Sequence, residues 1–282
     1  MRRVLEDDYG ASLLAELQRS GRAEVGGHLH PWCTSPFGEE LNARNSYLCN
    51  LPETLQKAKL TTLSEQIATR IGKRPTSFRA GRYGLGSFAA RCLMDLGYVV
   101  DSSVIPFNNL NYDGGPDFTS APWKPYRMSA DDILRPDPNG TLLELPVCAG
   151  FSGRNFVAAS EWRHRLSQSP WARFRLVGLL DRIGLLRRVK LSPEQADAPT
   201  MCGLIDASLA QGSDCLVLMF HSSSLVPGHT PYVRTPRDLE EFHSRLRAVF
   251  NHCARLKLHS PTMTSYAGSV GSSAAGVTTN RS

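Results

Sequence analysis

Three times between Leu5 and Ser103 a helical pattern closes on a glycine and gives way to a short apolar strand, and the strand ends carry ionisable side chains. Residues 5–20 put Leu13, Leu14 and Leu17 on one helical face before Gly21, and Ala23-Glu24-Val25-Gly26 leads as a strand into His28 and His30. A second helix follows Pro52 from about Glu53 to Ile71, with Leu55, Leu60, Leu63 and Ile67 among its apolar positions and Gly72 as its cap, and Thr76-Ser77-Phe78-Arg79 is the strand after it. A third helix spans residues 86–96, ends at Gly97 and precedes the strand of residues 98–103, which contains Asp101. Helices alternating with short strands define the α/β class. The opening helix reads as half of a β/α unit whose preceding strand is not in the sequence. In such folds chemistry gathers at the carboxyl ends of strands, so His28, His30, Arg79 and Asp101 are the first candidates.

Farther on, residues 33–52 and 104–140 read as loops, and the second, with Trp123 and Tyr126, is long enough to shape or cover a site. Residues 141–147 form a strand stopped by Pro146. Residues 161–190 make a basic amphipathic helical region whose apolar face is Trp171, Phe174, Val177, Leu180 and Ile183. A helix over 199–211 precedes residues 215–220, the most buried-looking strand, which ends in His221, and a helix over 237–256 follows. From Ser260 the chain is rich in Ser, Thr, Gly and Ala and is expected to be disordered beyond about Ala267. The expected organisation is one domain over 1–259 and a tail over 260–282.

Composition narrows the function classes. The net charge of +6 concentrates in residues 161–190, where a solvated helix face explains it better than a surface for membrane or nucleic acid. Seven cysteines without a CxxC pair suit free thiols in a reducing compartment. No apolar stretch reaches the length of a signal peptide or a membrane span, so the expected location is cytoplasmic unless the true N-terminus lies upstream.

Two histidines one residue apart at a strand end point the same way and can face one metal ion or one substrate; ordinary polar roles in a turn are the alternative. With Arg79, Asp101 and His221 they suit metal-assisted hydrolysis. Neutral imidazoles hold zinc, another histidine protonates a leaving group, and Arg and Asp orient the acid and base. The sequence has no G-x-S-x-G elbow, no P-loop and no dinucleotide fingerprint. Ser222 is therefore expected to be a hydrogen-bonding residue at a strand end and not a nucleophile.

The ordered segments EVGGHLHPW, SFRAGRYG, VVDSSVIP, LELPV and LMFHSSSLVPGHTPY resemble the motifs of the polysaccharide deacetylase family, nearest its bacterial branch with HLHPW, over about residues 10–256. The resemblance implies a distorted (β/α) barrel, here incomplete and lacking its first β/α unit. It implies a divalent metal, usually zinc, and an acetylated glycan or oligosaccharide as substrate, from which acetyl groups are hydrolysed. Carried onto this sequence, it makes His28 a metal ligand with His30 as the available second, because Trp32 stands where the family has its second ligand. Arg79 fits the arginine that holds the catalytic base, with Arg82 as rival. The backbone near Tyr83 fits an oxyanion site, and His221 fits the general acid. Asp101 fits the residue that orients His221, its other reading being a strand-end cap. Trp32, Tyr83, Trp123 and Tyr232 are expected to line the cleft. The family's opening Asp motif is missing; Asp7-Asp8 reads as a helix cap. The alternative is a truncated or catalytically inactive member that binds carbohydrate.

Overall fold

A computed structural model describes residues 2–151, 155–168 and 187–275. In chain order its regular elements are α1 (Arg2–Glu6), α2 (Asp8–Arg19), β1 (Gly27–Leu29), α3 (Glu53–Ile71), β2 (Ser77–Ala80), α4 (Ser87–Asp95), β3 (Val100–Asp101), β4 (Tyr126–Arg127), β5 (Leu143–Glu144), β6 (Ala149–Phe151), α5 (Phe156–Gln168), β7 (Arg188–Lys190), α6 (Ala198–Ala210), α7 (Pro236–Arg255) and α8 (Met263–Ala275). These residues gather into two compact units where a single domain was expected over 1–259. The first holds the described residues of Met1–Val104, Asn108–Leu145 and Ser260–Ser282; the second holds those of Ile105–Phe107 and Pro146–His259.

The first unit is a mixed α/β body built on a five-stranded sheet of order β1-β2-β3-β5-β4. The first four strands in that order run parallel, and β4 pairs antiparallel with β5. The register sets His28 beside Arg79, Phe78 beside Asp101 and Asp101 beside Glu144. Among the described residues this sheet does not close. A barrel needs two neighbours for every strand, whereas β1 and β4 have one each.

Helix α3 has the bounds its pattern predicts. Pro52 precedes it, where a missing N–H costs nothing, and Gly72 ends it with a left-handed φ of 81° that only glycine adopts freely. Leu60, Leu63 and Ile67 are fully buried on one face, each worth about 1.5–3 kcal/mol of apolar transfer. Lys59 is on the same buried face. Ser64 Oγ meets the Tyr98 hydroxyl at 2.8 Å, and Tyr98 packs edge-on against Phe78 of β2. Helix α2 starts where Asp7 accepts from Gly10 N at 2.6 Å, so the Asp7-Asp8 pair begins with a cap. Its apolar face is shallower than expected, because Leu13 is exposed and Ala11 is its buried residue.

The tail departs most from expectation. Met263–Ala275 forms α8, and the described residues from Ser260 on fall within the first unit. Glu24 is the reason: Thr264 N and Oγ1 donate to its two carboxylate oxygens at 3.1 and 2.6 Å, while Thr264 Oγ1 also meets Thr76 Oγ1 at 2.8 Å. Burial alone would raise the Glu24 carboxyl, but donors from Ser77, Thr264 and Thr262 hold it below its ordinary range.

The second unit contains the antiparallel pair β6-β7 and helices α5, α6 and α7. Residues 215–220 are no continuous strand. They bridge Val147 at Val217, receive Cys148 N at 3.1 Å and give Met219 N to Leu191 O at 3.1 Å, and Leu216, Leu218 and Phe220 are half-buried. Helix α7 begins with a reciprocal cap between Thr235 and Asp238 and buries Phe242, Leu246 and Val249. Most of the basic region, and with it Trp171, Phe174, Val177, Leu180 and Ile183, lies outside the described residues. No described helix is long and apolar enough to cross a membrane.

Ending the chain at His259 removes α8 and leaves Glu24 without its Thr264 donors. The expected outcome is a lower thermal midpoint, and Thr264→Val in the full chain costs about 1 kcal/mol in urea unfolding. A tail that contributes nothing would leave both unchanged.

Candidate functional site

The two histidines converge. His28 on β1 and His30 just after it place their Nε2 atoms 3.1 Å apart, with the rings edge to face. His28 Nδ1 donates to the Arg79 carbonyl at 2.8 Å, a bond made available by the β1–β2 register. A neutral imidazole has one N–H, so that bond leaves the His28 Nε2 lone pair directed at His30. Two imidazole nitrogens sharing one zinc ion at ~2.0–2.1 Å stand ~3.3 Å apart, close to the spacing seen, and a backbone carbonyl on the far nitrogen is the usual support for such a ligand. The pair thus fits two ligand positions of a metal centre. Among the described residues no group of three or more His, Cys, Asp and Glu gathers to complete one.

Gly81 allows this arrangement. A Cβ there would fall 2.3 Å from His30 Nδ1 and 2.6 Å from Leu29 O, so only glycine leaves the imidazole its place. The residues after it, Arg82 and Tyr83, both hold left-handed backbone angles, which non-glycine residues seldom adopt. The Arg82 guanidinium pairs with Asp113, donates to Ser46 Oγ and stacks 4.4 Å over the Tyr47 ring. Arg82 is thereby committed away from Asp101 and Glu144, and Arg79 is the arginine facing those carboxyls.

Beneath the strand ends lies a buried ionic layer. Arg79 donates from Nε to Ser102 O at 2.8 Å and from Nη2 to Ser102 Oγ at 2.7 Å. Burial pulls its guanidinium below the ordinary value, and Tyr83, Asp101 and Glu144 act against that pull. Asp101 and Glu144 are fully buried. Asp101 accepts from Ser103 N and Oγ at 2.8 and 2.7 Å, and Glu144 Oε1 accepts from Val104 N at 2.9 Å. Glu144 Oε2 has no hydrogen-bond partner, and the β3–β5 register sets Glu144 beside Asp101. Burial raises both pKa values, and the charge of Asp101 raises Glu144 further. Asp101 is therefore no surface acid: it is buried and both its carboxyl oxygens accept from Ser103.

In the second unit, the carboxylate that holds His221 is Glu194, in place of the Asp101 expected from the resemblance. His221 Nδ1 lies 3.0 Å from both Glu194 oxygens, its backbone N donates to Oε1 at 2.9 Å, and Ser224 Oγ donates to the same oxygen at 2.6 Å. The Glu194 side chain is completely buried while that of His221 is 57% exposed. Burial would raise the Glu194 carboxyl, but the His221 and Ser224 donors outweigh it and keep it low. Phe220, edge-on to Phe242 at 5.4 Å, anchors the residue before His221. A buried anion on Nδ1 fixes the tautomer with Nδ1–H and leaves Nε2 for proton transfer. Ser222 opens an exposed 3-10 turn, Ser222–Leu225, and Ser224 is the serine that takes the hydrogen-bonding role.

The aromatic candidates separate. Trp32 is 43% exposed, packs on the His30 ring at 4.4 Å and lines a groove of about 320 Å³ with Glu39, Leu41, Asn42, Asn45 and Ser46. Tyr83 is half-buried near Arg79. Trp123, with Lys124 Nζ 5.0 Å from its ring centre, is not among the groove residues, and Tyr232 is in the second unit. Glu144 and Glu194 were missed in the sequence. A charged residue inside the apolar run Leu142-Leu143-Glu144-Leu145 was a usable signal for the first; nothing local marks Glu194.

No family model and no curated protein matches the chain. Among solved structures it is similar to one described as the "crystal structure of putative polysaccharide deacetylase from Mycobacterium smegmatis", at 17% identity and a TM-score of 0.49, over 97% of this chain and 70% of that one. At that level of similarity, function has to be argued from the residues themselves.

Two outcomes follow from the geometry. Gly81→Ala forces His30 off its position, so its imidazole NMR signals shift while circular dichroism stays that of the parent. Because Asp101 and Glu144 bind protons more tightly folded than unfolded, they make stability fall as pH rises above their ordinary values of 3.8 and 4.5. Glu144→Gln removes the second carboxyl, and the expected melting midpoint declines less steeply from pH 4.5 to neutrality than that of the parent.

Proposed function

We propose that the chain is a metal-dependent hydrolase that removes acetyl groups from a carbohydrate. The observation that carries this reading is the convergence of His28 and His30 Nε2, with His28 Nδ1 bound to a backbone carbonyl. It is supported by the ordered motifs of the polysaccharide deacetylase type. His28 and His30 are the residues that would hold a divalent ion, and imidazole donors favour zinc. When bound, the ion supplies Lewis acidity toward an acyl oxygen and toward water. His221, held at Nδ1 by Glu194, is the group that delivers a proton from Nε2 to a departing amine or alkoxide. Arg79, Asp101 and Glu144 act by holding the strand ends and touch no substrate. Trp32 offers its exposed indole face to a sugar ring.

A second reading is carbohydrate binding without catalysis. It is favoured by the absence, among the described residues, of a third metal-ligating side chain beside the histidine pair.

Zinc titration of the metal-free chain, followed by acetate release from N- and O-acetylated oligosaccharides, tests the first reading. The expected outcome is one zinc per chain, lost in His28→Ala, and acetate release lowered about 10²–10⁴-fold in His221→Ala. A folded chain that binds oligosaccharide and neither holds zinc nor releases acetate would establish the second reading instead.

A further inference from the structure

Lys59 lies in the middle of α3 with its side chain fully buried, although lysine at a helix surface ordinarily extends its ammonium to water. The Nζ atom is 3.0 Å from Pro31 O, 2.6 Å from Thr34 O, 2.8 Å from Pro36 O and 2.9 Å from Glu39 Oε1. Four acceptors around three N–H donors leave the ammonium no capacity for another ligand. Packing does not explain the charge, since an apolar chain of similar volume fills such a space without a desolvation penalty. The acceptors explain it. Pro31 and Thr34 are buried, and without Lys59 their carbonyls and the Glu39 carboxylate lose this donor.

All four acceptors belong to the loop that follows His30, and the first of them, Pro31 O, sits between His30 and Trp32. The loop has few ties of its own: Cys33 N reaches His30 O at 3.2 Å and Thr34 N reaches Pro31 O at 3.3 Å. Phe37 adds its ring 5.3 Å from the ammonium, and Glu39 joins the ion pair while lining the groove beside Trp32.

We propose that Lys59 is a positioning residue: its ammonium clamps residues 31–39 so that His30 faces His28 and the Trp32 indole lies against the His30 ring. The metal-affinity part of this inference rests on the proposed function, whereas the clamp itself does not.

Four full-length proteins decide it: the parent, Lys59→Met, the milder Glu39→Gln, and Leu246→Ala, which destabilises the apolar cluster of the second unit. Two readouts are taken on each, the rate at which a thiol reagent labels Cys33 in metal-free protein, mapped by peptide mass, and the zinc affinity. Lys59→Met is expected to label Cys33 at least about tenfold faster and to bind zinc about 10–100-fold more weakly, as happens when support of a metal ligand is lost. Glu39→Gln moves both in the same direction by less. Leu246→Ala lowers the melting midpoint and changes neither readout, which separates positioning from general stability. A folded Lys59→Met with parental labelling and parental zinc affinity overturns the proposal. If Lys59→Met does not fold, Glu39→Gln with parental labelling overturns it. If the parent binds no zinc, the metal reading falls and the Cys33 rate alone decides the clamp.

Discussion

The parallel register between β1 and β2 is the constraint on which the candidate site depends. Setting His28 against Arg79 brings the Arg79 carbonyl within 2.8 Å of His28 Nδ1, and that single bond decides which imidazole nitrogen keeps its lone pair. A slip of one residue would turn every side chain of the strand to the opposite face and dissolve the histidine pair. The same alignment, continued through β3 and β5, places Asp101 beside Glu144 with Arg79 close enough to oppose their burial. The chemistry at the strand ends is thus a by-product of backbone hydrogen bonding, and the side chains exploit positions that the ladder dictates.

The buried ionisable side chains of these strand ends and loops each bind backbone nearby. Arg79 holds Ser102, Asp101 holds Ser103, Glu144 holds Val104, and Lys59 holds Pro31, Thr34 and Pro36. In the second unit Glu194 binds both the backbone and the ring of His221. Burying an ion costs several kcal/mol unless hydrogen bonds offset it, so such groups persist where they specify conformation rather than where they add stability. In this protein the segments they specify are the irregular ones directly after strand ends, which have few backbone bonds of their own.

Local signals decide α3, the Asp7 cap and the histidine pair, where the deciding physics is local. The bounds of α3 follow from Pro52, a helical apolar period and Gly72, and the Asp7 cap needs only its own backbone. The side-by-side geometry of His28 and His30 follows from strand alternation. Among the described residues the sheet is open, and whether strands far apart in sequence close it is not a local property. Two expectations failed where long-range contacts decide. The Ser- and Ala-rich tail is helical in α8 because Glu24, more than 200 residues earlier, receives Thr264. Asp101 does not hold His221; it is buried with Ser103 and Glu144, while Glu194 takes that part from a segment whose local pattern carries no hint of it.

By itself the sequence determined the bounds of α3, the α/β class, the glycine-closed strand approaches and the chemical identity of His28, His30, Arg79 and His221. Those are set by side-chain period, backbone preference and functional groups, all of which are properties of short segments. Only the tertiary structure decided which carboxylate meets which base, which arginine is committed elsewhere, and why a lysine belongs inside α3. Electrostatic partnership depends on distance in space and on exclusion of water, and neither is encoded in spacing along the chain.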